Sequence, residues 1–189
     1  MDERAKDVLD FWLKEAGPEA WYKVDPDFDA VIRERYESLW EEGRTGALDR
    51  WRTKPMPCLA LLILLDQFPR NMFRGHAKAF ASDPKALDVA VAALLRRLDR
   101  RVDLPARQFF YLPLMHSETA ADQERAVRLF KISEPDGGNL NHARAHRHII
   151  RSFGRFPYRN DVLGRKSTPG EMAFIDAGGY GAALREVTA

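Results

Sequence analysis

The chain of 189 residues has one cysteine, Cys58, so no disulfide can form within it and no cage of thiolates can hold a metal. Apolar residues follow Cys58 as far as Leu65 and nothing basic flanks it, which predicts a buried structural thiol rather than a nucleophile. That run is also the longest apolar stretch, far short of the roughly 20 residues that span a bilayer. A domain-wide excess of one charge is lacking too: the net charge is +2, and binding to nucleic acid is not expected. The amino terminus, Met-Asp-Glu-Arg-Ala-Lys-Asp, mixes both signs and lacks the basic-then-apolar layout of a secretory signal, so the expected setting is cytoplasmic, with no membrane partner. Neither a glycine-rich phosphate loop nor a Gly-x-Ser-x-Gly elbow is present. No sustained apolar/polar alternation occurs, so no sheet is expected.

What the chain does have is helical periodicity. Ala5, Val8, Leu9, Trp12 and Ala16 share one face of a first helix, stopped by Gly17-Pro18. Asp25-Pro26 caps a second, with Phe28, Ile32, Tyr36, Leu39 and Trp40 as its stripe and Gly43 as its end. Pro55 opens a helix through Leu65 that is apolar on every side, predicting burial all round. Pro69 is expected to bias Phe68 out of helical geometry. Asp83-Pro84 starts a further helix with Leu87, Val91, Leu94, Leu95 and Leu98 on one face, and Arg96, Arg97, Arg100 and Arg101 suit the negative end of its dipole. An apolar segment from Pro105, interrupted at Pro113, delivers His116-Ser-Glu118. Residues 119 to 134 carry Val127 and Phe130 inward and a Glu124/Arg128 pair outward. After the loop at Asp136-Gly-Gly-Asn139 comes a helix over about 139 to 154, then a Thr168-Pro-Gly-Glu171 capping box and a glycine-rich tail at 178 to 181 that reads as loose. The expected fold is one all-α domain over 1 to 189, with eight or nine helices in stacked antiparallel hairpins.

Chemistry concentrates near the C-terminal third. Residues 144 to 166 hold seven Lys/Arg against one acid, Asp161. On a helical wheel His142, His146, Ile149, Ile150 and Phe153 share a face opposite Arg144, Arg147, Arg151 and Arg155, so His146 points inward. The arginine stripe reads as either a solvated face or a binding surface. Below it, Phe156-Pro-Tyr-Arg159-Asn160 echoes Phe68-Pro-Arg70-Asn71, each at the foot of an apolar helix. Arginine offers a planar fork for carboxylate or phosphate, and asparagine both donates and accepts, so the two loops could clasp an acidic group. Alternatively each arginine caps carbonyls or pairs with an acid such as Asp66, which sits at a helix C-terminus where the dipole disfavours it. His116 and Glu118 are candidate acid-base partners. His142-x-x-x-His146 has a metal-compatible spacing, but position 143 is Ala where the protease motif needs Glu, and no metal is assigned.

Four ordered motifs, Leu65-Asp-Gln-Phe-Pro-Arg-Asn71, Leu112-Pro-Leu-Met-His-Ser-Glu118, His146 with Phe153-Gly-Arg-Phe-Pro-Tyr-Arg-Asn160, and Leu163-Gly-Arg-Lys-Ser-Thr168, closely resemble the bacterial domain-of-unknown-function 924 family over nearly the whole chain. The resemblance implies an all-helical, tetratricopeptide-like right-handed arrangement, although no 34-residue period stands out in the sequence. It marks Asp66, Gln67, Arg70, Asn71, His116, Glu118, His146, Arg155, Arg159, Asn160 and Arg165 as pattern residues. The family usually has His where Tyr158 stands, while His142 and His148 fall outside the pattern. It brings no established activity, and no cofactor is assigned.

Two readings follow. In the first, a pocket takes a small acidic ligand: Arg70, Arg155 and Arg159 hold its anionic group, Asn71 and Asn160 orient it, Asp66 and Arg165 complete the ligand-binding set, and His116, Glu118 and His146 are the proton-transfer candidates. In the second, the chain is a tetratricopeptide-like module gripping a peptide or protein, and the motif residues are structural caps and pairs.

Overall fold

The computed structural model describes residues 1–188, which are helical over 73% and contain no strand. They form two compact units, the first Met1–Pro113 and the second starting at Leu114. No helix among the described residues is long and apolar enough to cross a membrane.

In the first unit α1 (Glu3–Asp10), capped by Asp2, widens into a π-helical turn (Phe11–Ala16), and α2 (Pro26–Thr45) is capped by Asp25 as its Asp-Pro start predicts. Gly43 does not end α2; Gly46 does, in the left-handed region at φ 95°. Gly43 is a packing residue: a Cβ there would lie 3.3 Å from the side chains of Leu64 and Leu65, so the missing side chain sets how closely the two helices approach. The central helix α3 (Pro55–Leu62) has Cys58 through Leu65 at zero exposure. Burial pushes the Cys58 thiol up to about 12, which makes it inert.

Pro69 does not end this helix. The chain widens through a π-helical turn (Ile63–Gln67) and continues as α4 (Phe68–Met72), with Phe68 helical at φ −57° and ψ −40°. Proline lacks the N–H that would reach the Leu65 carbonyl, and its ring crowds that oxygen. The wider turn relieves the crowding, and the Ser82 hydroxyl donates to the carbonyl at 2.6 Å while accepting the Trp40 indole N–H at 2.9 Å. Around these helices packs an aromatic core in which Phe68 meets Trp12 at 5.4 Å and Tyr36 at 4.7 Å, and Phe109 meets Trp21 at 4.8 Å. α5 (Asp83–Leu95) buries Ala86, Val89, Ala90 and Ala93; of the expected stripe, Leu98 just past its end is buried, Leu87, Val91 and Leu94 are half-buried, and Leu95 is 75% exposed. The small side chains on the inner face pack α5 on α3. The short α6 (Leu112–Met115) follows.

The second unit is built from α7 (Ala120–Ser133), α8 (Gly138–Phe153), α9 (Pro169–Asp176) and α10 (Gly179–Thr188). α8 packs on both α7 and α10 around Ile149, Ile150, Phe156 and Ala183. The outward Glu124 does not pair with Arg128; it reaches Arg147 at 3.1 Å and Arg151 at 2.5 Å on α8, so much of the arginine stripe is an interhelix bridge. Gly154, at φ 71°, closes α8. Thr168 and Glu171 form the expected capping box. The tail at 178 to 181 is not loose: it begins α10, whose Ala183 is buried and whose Tyr180 packs on the same cluster.

Candidate functional site

α8 places His142 and His146 one turn apart on its inner side. The His146 Nδ1 lies 2.8 Å from the His142 carbonyl; since a carbonyl only accepts, Nδ1 carries the proton and the neutral ring keeps its lone pair on Nε2. Around His146 stand His116 (ring centroids 6.1 Å apart), Phe156 (5.3 Å) and Tyr180 (4.9 Å). Burial, the nearby His116 and the Arg159 charge together push His146 down to about 3, against the opposing pull of the His142 carbonyl. Burial lowers His142 as well; its Nδ1 is hydrogen-bonded to the Tyr180 hydroxyl, which burial itself pushes up to about 12. At neutral pH these groups are uncharged.

The fully buried Phe156 is the floor of the cluster. Tyr158 stacks on it at 5.5 Å, and the Arg159 guanidinium lies over the ring at 4.4 Å with Arg159 only 7% exposed. Phe156 is fixed from outside: its N–H donates to Glu118 Oε1 at 2.8 Å and its carbonyl accepts from Arg165 at 3.2 Å. Arg165 grips Glu118 with both terminal nitrogens, at 2.7 and 3.0 Å, and donates Nε–H to Asn160 at 2.9 Å. Burial would raise the Glu118 carboxyl, but the Arg165 fork, the Phe156 N–H and the Arg159 charge outweigh it and the net shift is downward. Asn160 also donates to Ser167 at 3.1 Å. Arg155 forks onto Glu171 at 2.6 and 2.8 Å, and that fork, with the Thr168 N–H, lowers the Glu171 carboxyl; Arg155 also reaches the Lys166 carbonyl.

The second unit thus brings together His116, Glu118, His146, Arg159, Asn160 and Arg165. Arg155 is drawn instead to Glu171, its fork already filled. In the first unit, Arg70 pairs with Asp83 at 2.8 Å and reaches the Ala79 carbonyl. Asn71 donates to Asp29 at 2.8 Å, and Asp29 also takes the Arg74 fork. Asp66 is buried and accepts from the Gln67 amide. His142 and Phe156, which the sequence places beside the candidate residues without a role, are members of the cluster, and so is Tyr180, which is not among those candidates. Tyr180 had a signal, because Tyr180, Ala183, Leu184 and Val187 follow helical spacing past the glycines that hid it.

Fold and site define an all-helical protein with a neutral imidazole–aromatic cluster braced by carboxylate–guanidinium pairs. Residues 8–179 match the family described as bacterial protein of unknown function (DUF924), and the chain belongs to that family. A solved structure of a protein of unknown function from Agrobacterium tumefaciens is 43% identical, with a TM-score of 0.87, over 93% of this chain and 98% of that one. No curated protein matches.

Proposed function

We propose that the second unit binds a small acidic ligand, with His146 as the group that exchanges a proton with it. The observation that carries this reading is the commitment of His146 Nδ1–H to the His142 carbonyl, which leaves a neutral ring, beside His116 and within the field of Arg159, with its lone pair on Nε2. A neutral imidazole accepts a hydrogen bond from a protonated acid or hydroxyl. An anion placed next to it raises its affinity for a proton, so binding is coupled to proton uptake. Glu118, held ionised by Arg165, serves as the anchor of Phe156 rather than as a proton donor, and Arg155, Asn160 and Arg165 shape the loop. The setting is cytoplasmic, where the buried Cys58 needs no oxidising partner.

Thermal shift against small carboxylates and inorganic phosphate, at pH 8 and pH 6, tests the reading, because a ligand that binds only the folded state raises the melting temperature. The expected result is a ligand-dependent rise, larger at pH 6 and lost in His146→Gln and Arg159→Gln. No rise with any acid, or an equal rise in His146→Gln, would sink it.

A second reading, that the motif residues brace a tetratricopeptide-like interaction module, draws on the filled pairs Glu118–Arg165, Arg155–Glu171, Arg70–Asp83 and Asn71–Asp29. It predicts that substitutions at these positions lower the melting temperature while no acid raises it.

A further inference from the structure

The end of α5 carries four arginines in six residues, Arg96, Arg97, Arg100 and Arg101, and none of them is used to cap the last carbonyls of the helix with its side chain. The last carbonyls of α5 are closed by backbone: Arg97 N–H donates to Leu94 at 3.1 Å and Leu98 N–H to Ala93 at 3.0 Å, a Schellman ending sealed by the buried Leu98. Arg96 donates elsewhere, to the carbonyls of Arg52 and Thr53, both at 3.1 Å. Arg97 occupies the left-handed position of the motif at φ 56°, where glycine is the unstrained choice. Arg97, Arg100 and Arg101 are exposed, and none meets an acid among the described residues. Asp99 is buried and accepts from Tyr111, which leaves Asp103 as the exposed acid of the stretch.

Exposed apolar side chains flank this run of charge. Leu95 is 75% exposed and Leu104 43%. On the segment that Arg96 ties to α5, Lys54 is exposed and Met56 is 38% exposed. We infer that this turn is a docking surface for an anionic phospholipid membrane, with Arg97, Arg100, Arg101 and Lys54 meeting headgroup phosphates and Leu95, Leu104 and Met56 entering the boundary below them. Charge complementarity fixes the sign of the partner, and the aliphatic residues fix its kind. A single-stranded nucleic acid would call for aromatic platforms, whereas arginines flanked by exposed aliphatic side chains match a lipid interface. Peripheral contact of this sort needs no spanning helix, and the surface is built from first-unit residues independent of the imidazole cluster.

Co-sedimentation with vesicles of phosphatidylglycerol in phosphatidylcholine, against phosphatidylcholine alone, tests it at low salt. The whole chain is expected to bind the anionic vesicles and not the neutral ones, and to release as salt rises. Arg100→Gln and Arg101→Gln should each weaken binding about fivefold. Leu95→Ser should weaken it without changing the salt dependence. Arg97→Gly is the variant that separates this role from a structural one, because it should weaken binding while raising the melting temperature. Equal binding to neutral vesicles, no binding to either, or binding unchanged in Arg97→Gly overturns the inference. Retention on a short RNA without vesicle binding also overturns it and assigns the surface to nucleic acid.

Discussion

At the scale of residues, the same kinds of side chain serve different ends. Arg155 and Arg165 each have a fork on a carboxylate, Glu171 or Glu118, and the Arg159 guanidinium lies over the Phe156 ring. The Glu118–Arg165 pair is half-buried at both ends, so it should hold more than an exposed ion pair and less than a sealed one. Glu118→Ala and Arg165→Ala are each expected to destabilise by about 2 kcal/mol, and the double variant by little more than either alone. Urea unfolding measures the cycle, and strictly additive losses would contradict the pairing. These partners were invisible in sequence because 47 positions separate them; that the residue types belonged to a site was legible from their clustering at the feet of apolar helices.

At the scale of elements, helix existence was legible and helix endings less so. Apolar spacing and Asp-Pro caps locate α1, α2, α3 and α5, since they depend on neighbours along the chain. Gly43 and Pro69 mislead for the same reason: each resembles a stop, and each is accommodated by a distant partner, Leu64 and Leu65 in one case and Ser82 in the other. Ser82 holds the carbonyl that Pro69 cannot bond and also the Trp40 indole, all in a fully buried place. Ser82→Ala should therefore cost about 3 kcal/mol, read as a lower denaturation midpoint with an unchanged slope. A loss no larger than that of an exposed serine would mean that the π-helical turn carries Pro69 unaided. The glycine-rich start of α10 is the converse error, where weak helix propensity is overridden by packing of Tyr180 and Ala183 on α8.

For the molecule as a whole, the neutral imidazoles make stability depend on pH. His146 and His142 bind protons more weakly folded than unfolded, so below the unfolded value of about 6.5 the unfolded chain takes up more protons and stability falls with pH. For His146 this continues down to about 3, and above 6.5 it contributes no slope. Carboxyls held low by partners, such as Glu118 and Glu37, add their own loss only below the usual carboxylate range. Between pH 6.5 and 5 the histidines act alone, at up to about 1.4 kcal/mol per pH unit for each one fully excluded from protonation. Melting temperature followed from pH 8 to pH 5 should fall in that window, and His146→Gln should flatten the fall. An unchanged slope in the variant would show that His146 titrates as it does in the unfolded chain.

The sequence by itself determined the helical class, the buried α3, the inert Cys58 and the family to which the chain belongs, because periodicity, capping and ordered motifs are properties of neighbours along the chain. Only tertiary structure decided which charges cancel. It paired Glu118 with Arg165 and Glu171 with Arg155, folded the glycine-rich tail so that Tyr180 reaches His142, and left His146 neutral with its lone pair on Nε2. Partner choice and desolvation arise where distant segments meet, and a proton's place on an imidazole is fixed by the carbonyl it faces.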